Sequence, residues 1–103
     1  MNTKNTSQPE AIPEVVFKAE EEPLYRVIIH NDDVTPMDFV VHVLQRIFLL
    51  GHAESYDVML QAHFTGLAYV QTLPKSEAER RINRAHFAAG LEGYPLHFSM
   101  EPE

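Results

Sequence analysis

The stretch from Tyr25 to Asp38 changes character twice, and few folds accommodate both changes. Tyr25-Arg26-Val27-Ile28-Ile29-His30 is dense in aromatic and β-branched residues, which suits a pleated strand with at least one buried face. The polar run Asn31-Asp32-Asp33 ends it. Thr35 then precedes Pro36, and Asp38 follows at capping-box spacing. This predicts Thr35 as the helix cap, Pro36 in the first helical position and Asp38 bonding back to the cap. A strand that runs through a short acidic turn into a specified helix start implies helices layered on a sheet.

The rest of the chain extends that reading. Met37, Val40, Val41, Leu44, Ile47 and Phe48 form one apolar stripe at helical spacing, and Gly51 is placed to stop the helix. A second helix is predicted with Tyr56, Met59, Leu60, His63 and Phe64 on one face and Gly66 as its left-handed cap. Leu67 to Leu73 reads as a strand closed by Pro74. Ser76 with Glu79 then forms a second capping box, opening a helix through Ile82, Ala85, Phe87 and Ala88 to Gly90. After the turn-like Gly93-Tyr94-Pro95, Leu96 to Met100 is the last strand.

The expected fold is α+β, a three-stranded and mainly antiparallel sheet packed on three helices in the order β-α-α-β-α-β. Residues 23–103 make the core domain. Residues 1–22, rich in Glu, Pro, Ser, Thr and Asn, read as a flexible tail with too little apolar surface to offset the entropy of ordering.

Composition narrows what such a domain can do. With 103 residues, 45% of them hydrophobic, the chain supports one modest core and one site. The 15 acidic against 8 basic residues give a net charge of -7, which argues against a nucleic-acid surface despite Arg80, Arg81 and Arg84. There is no cysteine, so disulfides, thiolate catalysis and Cys-ligated zinc are excluded. No apolar run resembles a signal peptide or a membrane span, so a soluble, cytoplasmic protein is expected.

The acidic turn is the strongest site candidate. Asn and Asp there could simply make the turn, but Thr35 is assigned to the cap, which leaves two adjacent carboxylates free and suggests a cationic ligand. The histidines at 30, 42, 52, 63, 86 and 97 show no metal-ligand spacing, so neither a metal nor another cofactor is expected. No serine sits in a Gly-x-Ser-x-Gly setting, and an Asn-x-Asp-x-Thr spacing is a poor match to an aspartyl nucleophile. A binding module is expected rather than an enzyme.

Asn31-Asp32-Asp33-Val34-Thr35-Pro36-Met37-Asp38-Phe39-Val40, the later Met59-Leu60-Gln61-Ala62-His63-Phe64-Thr65-Gly66 and the Pro95-Leu96 ending together resemble the ClpS family of protease adaptors. The resemblance covers about residues 24–101. It implies a fold akin to the ribosomal stalk protein C-terminal domain and a monomeric adaptor. Such an adaptor captures free N-termini bearing Leu, Phe, Tyr or Trp and delivers these N-degron substrates to a Clp AAA+ unfoldase through that enzyme's N-terminal domain. By resemblance, Asn31, Asp32 and His63 would hold the α-amino group, while Thr35, Met37, Val40, Met59, Ala62 and Leu96 would line the pocket for the first side chain. Met37 would exclude β-branched residues, and Ala62, where many relatives carry Val, would widen one wall. Ser76, Glu79 and Arg81 would meet the ATPase, with Ser76 and Arg81 replacing an acidic residue and a lysine common in the family. The competing expectation is a stalk-like protein-interaction domain that uses a helix face and has no amino-terminal pocket.

Overall fold

A computed structural model describes residues 22–103. The flexible tail read from the sequence, residues 1–22, lies outside the described residues except for Glu22. The elements are β1 (Leu24–His30), α1 (Met37–Arg46), α2 (His52–Thr65), β2 (Leu67–Pro74), α3 (Lys75–Glu92) and β3 (His97–Pro102).

β1 is the central strand of a three-stranded sheet ordered β2-β1-β3, and both of its pairings are antiparallel. Its alternation explains the position: Val27 and Ile29 are buried while Arg26, Ile28 and His30 point the other way. His30 stands opposite Leu67 on one side and His97 on the other. The register against β2 slips between Val27 and Ile28, so two residues of β2 oppose one of β1 in a bulge around Val70. Pro74 ends β2 at a sheet edge, where its missing N–H breaks no ladder.

The three helices and the sheet bury one continuous core. Phe48 and Phe98 stack at its centre with ring centroids 4.8 Å apart, surrounded by Val27, Ile29, Leu44, Val70 and Ala85. Ser55, the buried polar residue of α2, donates its hydroxyl to the His52 carbonyl at 2.7 Å and accepts from Gln45 Nε2 at 3.0 Å, so nothing is left unsatisfied there.

Several boundaries and faces differ from the sequence reading. α1 ends at Arg46, not near Gly51, because Phe48 turns into the core and Leu49 reverses the chain with a φ of 61°. Gly51 instead precedes α2 in an extended conformation. The buried stripe of α2 is Ser55, Val58, Met59 and Ala62, whereas Tyr56, Leu60 and Phe64 are exposed. α3 runs on past Gly90 to Glu92 and is capped by Gly93 at φ 76°. Its buried residues are Ala78, Ile82, Ala85 and Ala89, and Phe87 is 70% exposed.

A candidate pocket between the first strand and the second helix

The loop after β1 is held at both ends. Asn31 N–H donates to the Gly66 carbonyl at 2.9 Å, which ties the start of the loop to the left-handed cap of α2. Asp32 then organises the turn. Its Oδ1 accepts the N–H groups of Val34 at 2.8 Å and Thr35 at 2.7 Å, and its Oδ2 accepts the Thr35 hydroxyl at 2.9 Å. Thr35 therefore does not cap α1; the helix starts after Pro36 with no side-chain cap, and Asp38 contributes only a first-turn negative charge. The carboxylate of Asp32 outcompetes that cap because a charge-assisted bond is the stronger one. Partial burial is the largest influence on the Asp32 carboxyl and works to raise its pKa, but the bonds from Thr35 and Val34 together outweigh it and hold the pKa below its ordinary value. Asp32 is thus an ionised, fixed group. Both lone pairs of Oδ1 are used, and Oδ2 keeps one acceptor position free.

Beside this loop lies a cavity of about 290 Å³, near the lower end of the roughly 300–1,000 Å³ typical of small-molecule sites. It suits a side chain better than a large ligand. Asn31, Asp32 and His63 line it together with Thr35 and Met37, and so do Val40, Met59, Ala62 and Leu96. The last four are buried and form the apolar floor, delivered by α1, α2 and the residue preceding β3. Met59, Ala62 and His63 share the cavity because they stand at three- and four-residue spacing on α2. His63 is exposed at the rim, its ring edge-on to Phe64 with centroids 4.9 Å apart. Met37 is 45% exposed, as a residue at the mouth should be.

The sequence reading left Ile29 and His30 out of the site and gave Asp33, Val34 and Pro36 of the acidic turn and its continuation no wall role of their own, yet all five line the same cavity. Strand alternation and adjacency to Asn31 were the available signal for Ile29 and His30. Ser76, Glu79 and Arg81 lie elsewhere, on the first half of α3. Ser76 is inside the helix and does not cap it. Its N–H and hydroxyl donate to the Glu22 carboxylate at 2.7 and 2.8 Å, and these two bonds hold the Glu22 carboxyl below its ordinary pKa. The acid that pairs on this helix is Glu77, not Glu79: it receives bonds from Arg80 and from Arg81, which lower its pKa against the opposing effect of burial. Arg81 also reaches Gln71 Oε1 at 3.2 Å and so ties α3 to β2. Among the described residues no group of His, Cys, Asp or Glu side chains is arranged to hold a metal ion, and no helix is long and apolar enough to cross a membrane.

Comparison with known proteins agrees with this architecture. The family described as ATP-dependent Clp protease adaptor protein ClpS matches residues 20–99. The chain belongs to the ClpS family. The ATP-dependent Clp protease adapter protein ClpS of Roseobacter denitrificans is 42% identical over 86 residues, covering 84% of this chain and 76% of that protein. ClpS 1 of Rhodopseudomonas palustris is 40% identical over 96 residues, covering 93% of each. Among solved structures, Agrobacterium tumefaciens ClpS2 bound to L-phenylalaninamide superposes with a TM-score of 0.76 at 36% identity, covering 81% of this chain and all of that one. The open three-stranded antiparallel sheet with three helices is therefore a ClpS fold, and the protein is a Clp protease adaptor by family.

Proposed function

We propose that the cavity receives the first residue of a protein bearing a free N-terminus and a bulky apolar side chain, and that the chain hands such N-degron substrates to a Clp AAA+ unfoldase. The observation that carries this reading is the division of one cavity into a polar rim, Asn31, Asp32 and His63, and an apolar floor, Val40, Met59, Ala62 and Leu96. An α-ammonium has three donors and no acceptor. Asn31 offers an amide oxygen, Asp32 the free position on Oδ2, and His63 an unprotonated ring nitrogen. L-Phenylalaninamide, the ligand of the Agrobacterium protein, is a free amine next to a benzyl group and has this same division.

Burying a Leu or Phe side chain contributes about 1.5–3 kcal/mol. Charge-assisted bonds to the ammonium add about as much again, so micromolar binding needs no large interface. Thr35 and Met37 complete the mouth, and Met37 excludes Val and Ile because their stiff branch point falls where the side chain enters.

Delivery is assigned to the first half of α3, where Ser76, Glu79 and Arg81 face the N-terminal domain of the unfoldase. Glu22 is bonded to Ser76, so the described chain enters the core at that same end, and engaging the unfoldase is assigned to residues 1–22. The adaptor acts as a non-catalytic monomer in the cytoplasm, with no role for nucleic acid or membrane.

Peptides differing only in their first residue test this reading by fluorescence anisotropy. Leu, Phe, Tyr and Trp should bind, Val and Ile should bind at least about tenfold more weakly, and Ala62→Val should change the ranking among the large residues. A flat response across the panel would remove the pocket from the account.

A further inference from the structure

The sequence scatters six histidines along the chain, yet folding brings three of them into a row. β3 is an edge strand, so backbone N–H groups that face away from β1 need partners elsewhere. Phe98 donates its N–H to Nε2 of His86 on α3 at 3.0 Å. A ring nitrogen that accepts a bond carries no proton, so His86 is neutral with its hydrogen on Nδ1. The His86 ring stacks on that of His97, with centroids 5.4 Å apart and planes inclined by 12°. His97 in turn lies 5.0 Å from His30, whose Nε2 is 2.6 Å from Ser99 Oγ. The row starts on α3, crosses β3 and ends on β1, where His30 lines the pocket. Leu96, part of the pocket floor, is the residue before His97.

The charged surroundings of this row are sparse. On α3 the residues one turn from His86, Ile82, Asn83, Ala89 and Gly90, carry no charge. On β3 the titratable group facing it is His97, and Glu101 further along is held by Arg26 of β1 at 2.8 Å. On β1 the facing group is His30. Among the described residues no carboxylate forms an ion pair with any of the three histidines, so nothing compensates a proton taken up here.

We propose that His86, His97 and His30 form an acid-released latch that fastens α3 to the β3 edge and fixes the pocket floor at Leu96 from behind. Protonating His86 removes the acceptor of the Phe98 N–H and sets a cation against the His97 ring. α3 and β3 then loosen, and Leu96 loses its fixed position. This holds whatever the pocket binds. Burial, and after it the neighbouring His97, lower the pKa of His86 and together outweigh the contact with the Phe98 backbone, which works to raise it. A histidine with a depressed folded-state pKa adds stability that is fully present above the ordinary value of about 6.5 and is lost as pH falls through the folded-state value.

Nuclear magnetic resonance on the full chain, titrated from about pH 8 to about pH 5 across the ordinary imidazole range, tests the latch without any ligand. The hydrogen-exchange protection factor of the Phe98 amide should fall at least about tenfold as the His86 ring titrates, and the Leu96 methyl shifts should move with the same midpoint. In His86→Gln, whose side-chain oxygen accepts the same bond without titrating, Phe98 protection should stay constant and Leu96 should no longer follow that midpoint. His97→Gln, at an exposed position, should raise the His86 midpoint by removing the neighbouring imidazole. Constant Phe98 protection through the His86 titration would overturn the proposal. So would an unaltered His86 midpoint in His97→Gln, or a Leu96 shift that persists unchanged in His86→Gln.

Discussion

Asp32→Ala should weaken binding of a Leu- or Phe-initiated peptide by on the order of a hundredfold, the equivalent of one strong charge-assisted bond. Two losses combine. The free position on Oδ2 disappears from the ammonium site, and the three bonds that hold Val34 and Thr35 disappear with it. Asp32→Asn separates them, because its side-chain oxygen still accepts the two N–H groups while the charge is gone. Titration by fluorescence anisotropy should therefore find Asp32→Asn nearly as weak as Asp32→Ala if charge dominates, and close to wild type if the carboxylate only shapes the turn. A stalk-like domain docking through a helix face would bind its partner equally well with either substitution.

Phe98→Ala carries the largest expected effect on stability. Phe98 is buried and stacks on Phe48, so its loss opens a cavity at the junction of sheet and helices. Truncations of this kind cost about 3–5 kcal/mol, a large part of the roughly 5–15 kcal/mol that a small domain has in total. At about 4–8 °C per kcal/mol for a domain of this size, the melting temperature followed by circular dichroism should fall by about 12–40 °C. Phe87→Ala is the matched control: the same truncation at a residue 70% exposed should leave the midpoint within a few degrees. Equal effects of the two substitutions would mean that the core is not where Phe48 and Phe98 place it.

Phe87 also shows where sequence reasoning stops. A large aromatic at helical spacing reads as core, but α3 packs on the sheet through Ala78, Ala85 and Ala89, whose small side chains permit close approach. α2 presents the same difficulty. Ser55, Val58, Met59 and Ala62 form one stripe, and Tyr56, Met59, Leu60 and His63 form another displaced by a single residue. Packing against β2 and α1 decides between them. β1 was legible because aromatic and β-branched residues crowd Tyr25 to His30, and Gly66 was legible as a cap because a left-handed residue there favours glycine. Thr35 was misread because its backbone N–H and hydroxyl both suit the Asp32 carboxylate, a competition that helix-start spacing does not reveal. The residues assigned to the pocket by family resemblance all line one cavity, while the histidine row could not be read at all, since it depends on strand register and on the packing of α3.

The central claim is that Asn31, Asp32 and His63 recognise a charged, unblocked amino terminus. Fluorescence anisotropy on one Leu-initiated peptide, free and N-acetylated, tests it most directly, since acetylation removes the charge and two of the three donors but leaves the apolar side chain intact. Micromolar binding of the free peptide with no measurable binding of the acetylated one is the predicted result; equal affinity for both would contradict it.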